Sequence, residues 1–181
     1  SNEAVTLVFD LRSGWALTVR SVLGETAPGR TAVQQTFLVA HIEGIEPLDE
    51  APAPTSELIG RRVLWVYSSV HAYEHLYLSP HWYTWQCLAG PEQGLADTDE
   101  NNAWRVRPGI YLFAWREKVI PCASVTIADH RDARSLRAHG VLFGRDESGE
   151  GQTHFTFGAY GRLLSNSVHP AEYDPARPLE R

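Results

Sequence analysis

The 181-residue chain predicts an all-β fold in which an antiparallel sheet closes or folds on itself, and three observations predict it. Short apolar stretches recur at hairpin spacing, set apart by Gly, Pro and Asp turns. No stretch reads as a long helix. The chain also resembles itself at a displacement of 120 positions: Val5-Thr6-Leu7 falls on Val125-Thr126-Ile127, and Ser21-Val22-Leu23-Gly24 on Val141-Leu142-Phe143-Gly144. Gln35-Thr36-Phe37 resembles Gln152-Thr153-His154-Phe155 two to three residues out of phase. Read as a tandem repeat, residues 60–168 make one complete barrel unit and residues 1–46 the C-terminal part of another. Roughly half a unit is then expected before Ser1, where an initiator Met is also absent. Chance similarity between β-rich segments is the alternative.

Taken in order, residues 5–9 and 16–23 flank the turn Asp10-Leu11-Arg12-Ser13-Gly14 and read as a hairpin, and residues 33–45 as a longer extended stretch. Residues 47–59 open on an acidic, Pro-rich run that supplies few ladder donors, so they read as a linker. Within them Thr55-Ser56-Glu57-Leu58-Ile59-Gly60 suits one helical turn ended by Gly. Eight strand signals follow, at 62–68, 73–79, 83–88, 104–106, 110–117, 119–128, 138–143 and 153–159. Between the third and fourth, Asp97-Thr98-Asp99-Glu100-Asn101-Asn102 reads as a solvated acidic loop and candidate lid. Residues 169–181, with three Pro, read as an extended tail.

Composition narrows the function classes. Hydrophobic residues at 43% and charged residues at 21% are ordinary for a soluble globular chain. A net charge of −6 argues against a nucleic-acid partner, which needs a concentrated basic face. No apolar run has the length of a membrane span and no signal peptide is visible, which favours a cytoplasmic protein without a membrane partner. Cys87 and Cys122 lack zinc or redox spacing, which fits reduced thiols.

Side chains alternate across a strand. Val63, Trp65 and Tyr67 therefore share a face, as do Tyr83, Trp85 and Cys87, and as do Tyr111, Phe113, Trp115 and Glu117. An eight-stranded barrel has an interior just large enough to be filled or to hold one small ligand. Three aromatic rows predict an aromatic-lined cup for a small molecule.

The blocks Arg61-Arg62-Val63-Leu64, Tyr73-Glu74-His75-Leu76-Tyr77, Tyr83-Thr84-Trp85-Gln86-Cys87-Leu88-Ala89-Gly90-Pro91, Gly94-Leu95-Ala96-Asp97-Thr98-Asp99 and Tyr111-Leu112-Phe113-Ala114-Trp115-Arg116-Glu117-Lys118 resemble the molybdenum cofactor biosynthesis protein F (MoaF) family. The resemblance implies a bacterial cytosolic protein with a calycin/lipocalin-like antiparallel β-barrel and an association with molybdenum cofactor genes; it supplies no reaction. The second unit also resembles the phenolic acid decarboxylases, cofactor-free barrel lyases that use two Tyr, a Glu and an Arg. Tyr67 matches one Tyr and Glu117 the Glu, but Trp65 and Leu95 stand where the second Tyr and the Arg would be. The groups that would bind a substrate carboxylate are thus lost, so this likeness implies a cavity rather than the reaction.

Glu117 is the leading chemical candidate, because a carboxylate against Trp115 and Phe113 would be desolvated and its pKa raised into the range of proton transfer. A rim position paired with Arg116, Lys118 or Arg62 is the structural alternative. Glu74 is the second candidate. The decarboxylase alignment turns it inward, where two carboxylates would push their pKa values apart, although Tyr73, His75 and Tyr77 on the opposite face compete for the interior. His71-Ala72-Tyr73-Glu74-His75 spells a zinc-peptidase pattern, but on a strand positions four apart are separated by about 13 Å. Two such His cannot share one zinc. No metal and no cofactor is expected.

The sequence therefore predicts a small-molecule barrel, either a cofactor-free lyase or isomerase acting on an aromatic or conjugated ligand, or a non-catalytic carrier of a pterin-like intermediate, or a structural barrel with a filled interior. In the first reading Glu117 and Glu74 transfer protons, Tyr67 and Tyr83 hydrogen-bond the ligand, and Trp65, Trp85, Phe113 and Trp115 contact it. An uncovered sheet edge in the partial unit would invite association, a homodimer being one form of it.

Overall fold

The computed structural model describes residues 2–25, 27–48, 50–146 and 148–177. Ser1 and the last four positions of the expected tail lie outside them. Twelve strands follow in order: β1 (Glu3–Asp10), β2 (Trp15–Leu23), β3 (Val33–His41), β4 (Ala53–Pro54), β5 (Arg61–Ser68), β6 (His71–Tyr77), β7 (Trp82–Ala89), β8 (Ala96–Arg107), β9 (Ile110–Arg116), β10 (Cys122–Asp129), β11 (Leu136–Arg145) and β12 (Gln152–Asn166). The tail carries one 3-10 turn, Ala171–Tyr173.

Strands β5 to β12 form an up-and-down barrel. Each pairs antiparallel with its neighbour in sequence, and β12 returns to β5, so the sheet closes with no free edge. Register shifts in the β5–β6, β6–β7, β8–β9 and β12–β5 ladders supply the bends that closure needs.

One end of the barrel is plugged. Leu58, Val63, Trp65, Tyr77, Tyr111, Phe113 and Leu136 are buried together there. Leu58 reaches in from the turn before β5, which Gly60 makes possible. Its φ of 87° suits glycine, and a Cβ would collide with the carbonyl of Ser167, whose N–H donates to Gly60. Residues 47–59 therefore do more than connect: β4 pairs with β8, and Arg105 of β8 binds Glu50 at 2.6 Å and Glu57 at 3.2 Å.

Strands β1 to β3 form a separate three-stranded sheet in the order β1-β2-β3, packed on the outside of the barrel. Leu17 and Val19 meet Leu112, Ala114 and Val125, with Val8, Phe37 and Val39 beside them. This explains why β9 reads as a nearly unbroken apolar run. Its odd residues face the barrel interior and its even residues face the sheet. Arg116, buried at the same seam, donates to Gln35 Oε1 at 2.9 Å and Asn102 Oδ1 at 2.8 Å.

The 120-residue displacement carries β1, β2 and β3 onto β10, β11 and β12, two antiparallel meanders of the same order. Matched by pairing, the row Leu7–Thr18–Leu38 takes the place of Ala128–Ala138–Ala159. The latter row lies inside the barrel, whereas Leu7 and Leu38 are exposed, together with Val5 and Phe9.

Two expectations are corrected. Residues 97–102 are not a loop but part of β8, because Asp99 and Asn101 alternate inward and are buried rather than solvated, Asp99 against the Trp85 indole. Glu74 faces outward, since the aromatic residues Tyr73, His75 and Tyr77 take the interior of β6 and leave it to a bidentate pair with Arg62 at 2.5 and 3.0 Å. Among the described residues, no helix is long and apolar enough to cross a membrane.

Candidate functional site

The end of the barrel opposite the plug holds a cavity of about 760 Å³. Alternation places its walls: Tyr67 on β5, Tyr73 and His75 on β6, Tyr83 and Trp85 on β7, Trp115 at the end of β9, Phe155 and Phe157 on β12. Glu117, just beyond β9, continues the Trp115 face, and Cys122 opens β10 beside it. The rings meet at angles suited to edge-to-face contact. Tyr67 lies 5.8 Å from Tyr73 and 5.6 Å from Phe157, and Tyr83 lies 5.2 Å from His75.

Five of the predicted residues thus share one cavity: Tyr67, Tyr83, Trp85, Trp115 and Glu117. Two others lie below it in the core. Phe113 packs edge-on against Tyr77 and Tyr83 at 4.9 and 5.1 Å. Trp65 is 3% exposed, and its ring lies where a Cβ on Gly161 would be, 2.6 Å from that position. Trp65 and Phe113 are correspondingly reassigned from ligand contact to the floor, because the rings around them leave no opening. Glu74 is outside altogether.

Glu117 is half-buried, opening onto the cavity but otherwise surrounded by protein. Its pKa is pushed up to about 8, first by burial and then by the carboxylates of Asp99 and Glu92, while a hydrogen bond with Cys122 pulls the other way. Among the described residues no ion pair holds it. Arg116 turns to the opposite face, Lys118 binds Asp97 at 3.0 Å, and Arg62 is taken by Glu74. The Glu117 N–H donates to the Cys122 carbonyl at 2.9 Å, fixing the chain where it leaves β9. Burial and the neighbouring Glu117 push the Cys122 thiol far up, so it stays protonated.

Behind the wall, Trp85 Nε1 donates to Asp99 Oδ2 at 2.8 Å, and the Lys118 ammonium lies 3.6 Å from the other oxygen. Burial raises the Asp99 pKa despite these partners. Desolvation holds His75 down to about 3, so it presents a neutral ring. Burial also raises Tyr67 and Tyr83, and neither hydroxyl hydrogen-bonds to the protein among the described residues. The Tyr73 hydroxyl donates to Glu92 Oε2 at 2.8 Å.

Sequence reasoning did not single out Glu92, Cys122, Arg145, Phe155 or Phe157. The alternation of Phe155 and Phe157 is a usable signal, whereas Glu92 lies in the turn between β7 and β8 and Arg145 at the last position of β11, where no periodicity tells which way a side chain turns. His71 and His75 both line the cavity from β6, and the His71 ring bonds the Ser68 hydroxyl at 2.9 Å.

Residues 52–167 match the MoaF C-terminal domain family. The chain is 38% identical over 151 residues to Protein MoaF of Klebsiella aerogenes, a match covering 81% of this chain and 56% of that relative. The chain therefore spans only about half of that relative's length. A solved structure from Burkholderia vietnamiensis, provisionally described as a β-lactamase, aligns over 59% of this chain and 95% of its own at 17% identity, with a TM-score of 0.47, a likeness too slight to carry an argument. The family match spans the whole barrel and the identity extends along most of the chain, so the chain belongs to the MoaF family.

Proposed function

We propose that the chain is a small-molecule-binding barrel that moves a proton on an aromatic or conjugated ligand, with Glu117 as the proton-transfer group. The observation that carries this reading is an unpaired carboxyl on an aromatic wall with its pKa near 8, which keeps both protonation states accessible near neutral pH. In an isomerisation, protonated Glu117 delivers its proton to one atom of the conjugated system. The carboxylate so formed then removes a proton from another atom, and no outside reactant is consumed. In a lyase, Glu117 protonates the carbon that keeps the electron pair of the broken bond and is recharged from water. Tyr67 and Tyr83 offer hydroxyls to ligand oxygens, and Trp85 and Trp115 offer faces for stacking.

A carrier without chemistry is the second reading, favoured by the flat aromatic walls, which suit a pterin-like ring. A filled barrel does not fit a cavity of about 760 Å³. The family membership is what supports a cytoplasmic role beside molybdenum cofactor biosynthesis.

The test begins by identifying, by mass spectrometry, small molecules that co-purify with the protein, and then incubates protein and ligand in deuterated water. Catalysis predicts a one-dalton gain in the ligand with the native protein and none with Glu117→Gln. Ligand retained without exchange in either protein leaves only the carrier.

A further inference from the structure

Arg145 ends β11 at the cavity mouth, on the same rim as Glu117. The start of β10 joins them. The Arg145 N–H donates to the Pro121 carbonyl at 2.9 Å, Cys122 pairs with Gly144, and the Cys122 carbonyl accepts from Glu117. A Cβ on Gly144 would strike Cys122, so glycine permits this approach.

The other cations near this end of the barrel are engaged. Lys118 sits on Asp97 and Asp99, Arg116 on Gln35, Asn102 and Glu100, and Arg62 on Glu74. Two of the acidic groups near Arg145 are engaged with other partners. Asp146 accepts from the Ser148 hydroxyl at 2.6 Å and from the Ser148 and Gly151 backbone N–H groups, and Glu92 accepts from Tyr73. Among the described residues the half-buried Arg145 guanidinium has neither an ion pair nor a side-chain hydrogen bond. A guanidinium presents a planar fork of donors matched to carboxylate and phosphate oxygens. Here the fork borders an aromatic cavity, and no side chain among the described residues accepts from it.

We propose that Arg145 anchors an anionic group of the ligand, so that the cavity takes an aromatic or conjugated carboxylate or phosphate in preference to a neutral ring. This rests on the reading of the cavity as a ligand site. It adds a direction: the anion lies at the mouth, the ring lies between the aromatic walls, and the conjugated atoms lie beside Glu117. Burial keeps Glu117 neutral below about pH 8, which leaves an entering anion little like charge to meet there.

Calorimetric titration with 2-naphthoate, 2-naphthyl phosphate and the neutral isostere 2-naphthamide tests it. The native protein is expected to bind at least one of the anions on the order of tenfold or more tighter than the amide, the range of a charge-assisted hydrogen bond. Arg145→Gln should abolish the preference while still binding the amide. Arg145→Lys should keep part of it, and it reads the same site if the Gln variant does not fold. Whichever of carboxylate and phosphate binds tighter identifies the source of the anion. Equal binding of acid and amide by the native protein, or an undiminished preference in Arg145→Gln, overturns the anchor and leaves the cavity reading standing. No binding of any of the three overturns both.

Discussion

Trp85 on the cavity wall and Asp99 behind it are joined by one hydrogen bond of 2.8 Å from the indole Nε1 to the carboxylate. That bond gives an otherwise costly buried carboxylate a partner and fixes the plane of the ring that faces the cavity. Asp99 is also the carboxylate that most raises the Glu117 pKa after burial itself. Asp99→Asn is therefore expected to lower the Glu117 pKa from about 8 without returning it to an ordinary carboxylate value, since burial persists. Carbon-detected NMR titration of the Glu117 carboxyl reads this directly; an unmoved pKa would mean that the two groups do not interact.

Glu117 also sets a pH dependence of stability. Its folded pKa of about 8 lies above the ordinary glutamate value of 4.5, so the folded state binds more protons between the two. The stability it contributes is complete below about 4.5 and is lost as pH rises through 8, at about 1.4 kcal/mol per pH unit at most. His75 and the buried His130, which follows β10, are held near 3 and 4 and work in the opposite sense, losing stability as pH falls below 6.5. Denaturant titrations between pH 6.5 and 8.5 should show a decline that disappears in Glu117→Gln.

Trp65 and Trp115 separate core from cavity. Trp65→Ala opens a hole in the plugged end and is expected to cost about 3–5 kcal/mol. Trp115 is half-buried with one side on the cavity, so Trp115→Ala should cost less and should weaken ligand binding more. Unfolding and titration of both variants check the ordering. An equal stability loss with unchanged affinity for Trp115→Ala would make that ring ordinary packing.

Glu74 provides the contrasting case. Its partner Arg62 is exposed, and ion pairs at the surface contribute little. Glu74→Gln should leave exchange into the ligand and ligand affinity unaltered. A tenfold loss of either would return Glu74 to the site.

Arg116 joins the small sheet to the barrel through Gln35 and Asn102. Arg116→Met removes a buried, charge-assisted network and is expected to cost about 1.5–3 kcal/mol. Hydrogen exchange should locate the loss in β1 to β3, while β5 to β7 stay protected. Uniform loss across the barrel would mean the sheet and barrel unfold as one unit.

The strand pattern was legible because period-2 alternation survives in single sequences: the barrel strands other than most of β8, and the inward row Tyr111, Phe113 and Trp115, could be read directly. Residues 97–102 were not, since a strand carrying Asp99 and Asn101 inward looks like a polar loop until Trp85 and Lys118 are seen to satisfy Asp99. On β6 both faces carry large or charged side chains, so only closure of the barrel decides that Tyr73 and His75 point in and Glu74 out. Arg145 was invisible because its importance lies in lacking a partner, which only three-dimensional neighbours reveal.

The row Val5, Leu7, Phe9 and Leu38 carries a practical corollary for anyone handling this polypeptide. Greasy side chains in register, with β1 and β3 each bonded on one flank only, make a sticky template on which solution molecules can nucleate stacks. Concentrating the sample should therefore provoke turbidity that Leu7→Lys or Leu38→Glu suppresses, while the distant chamber keeps its shape.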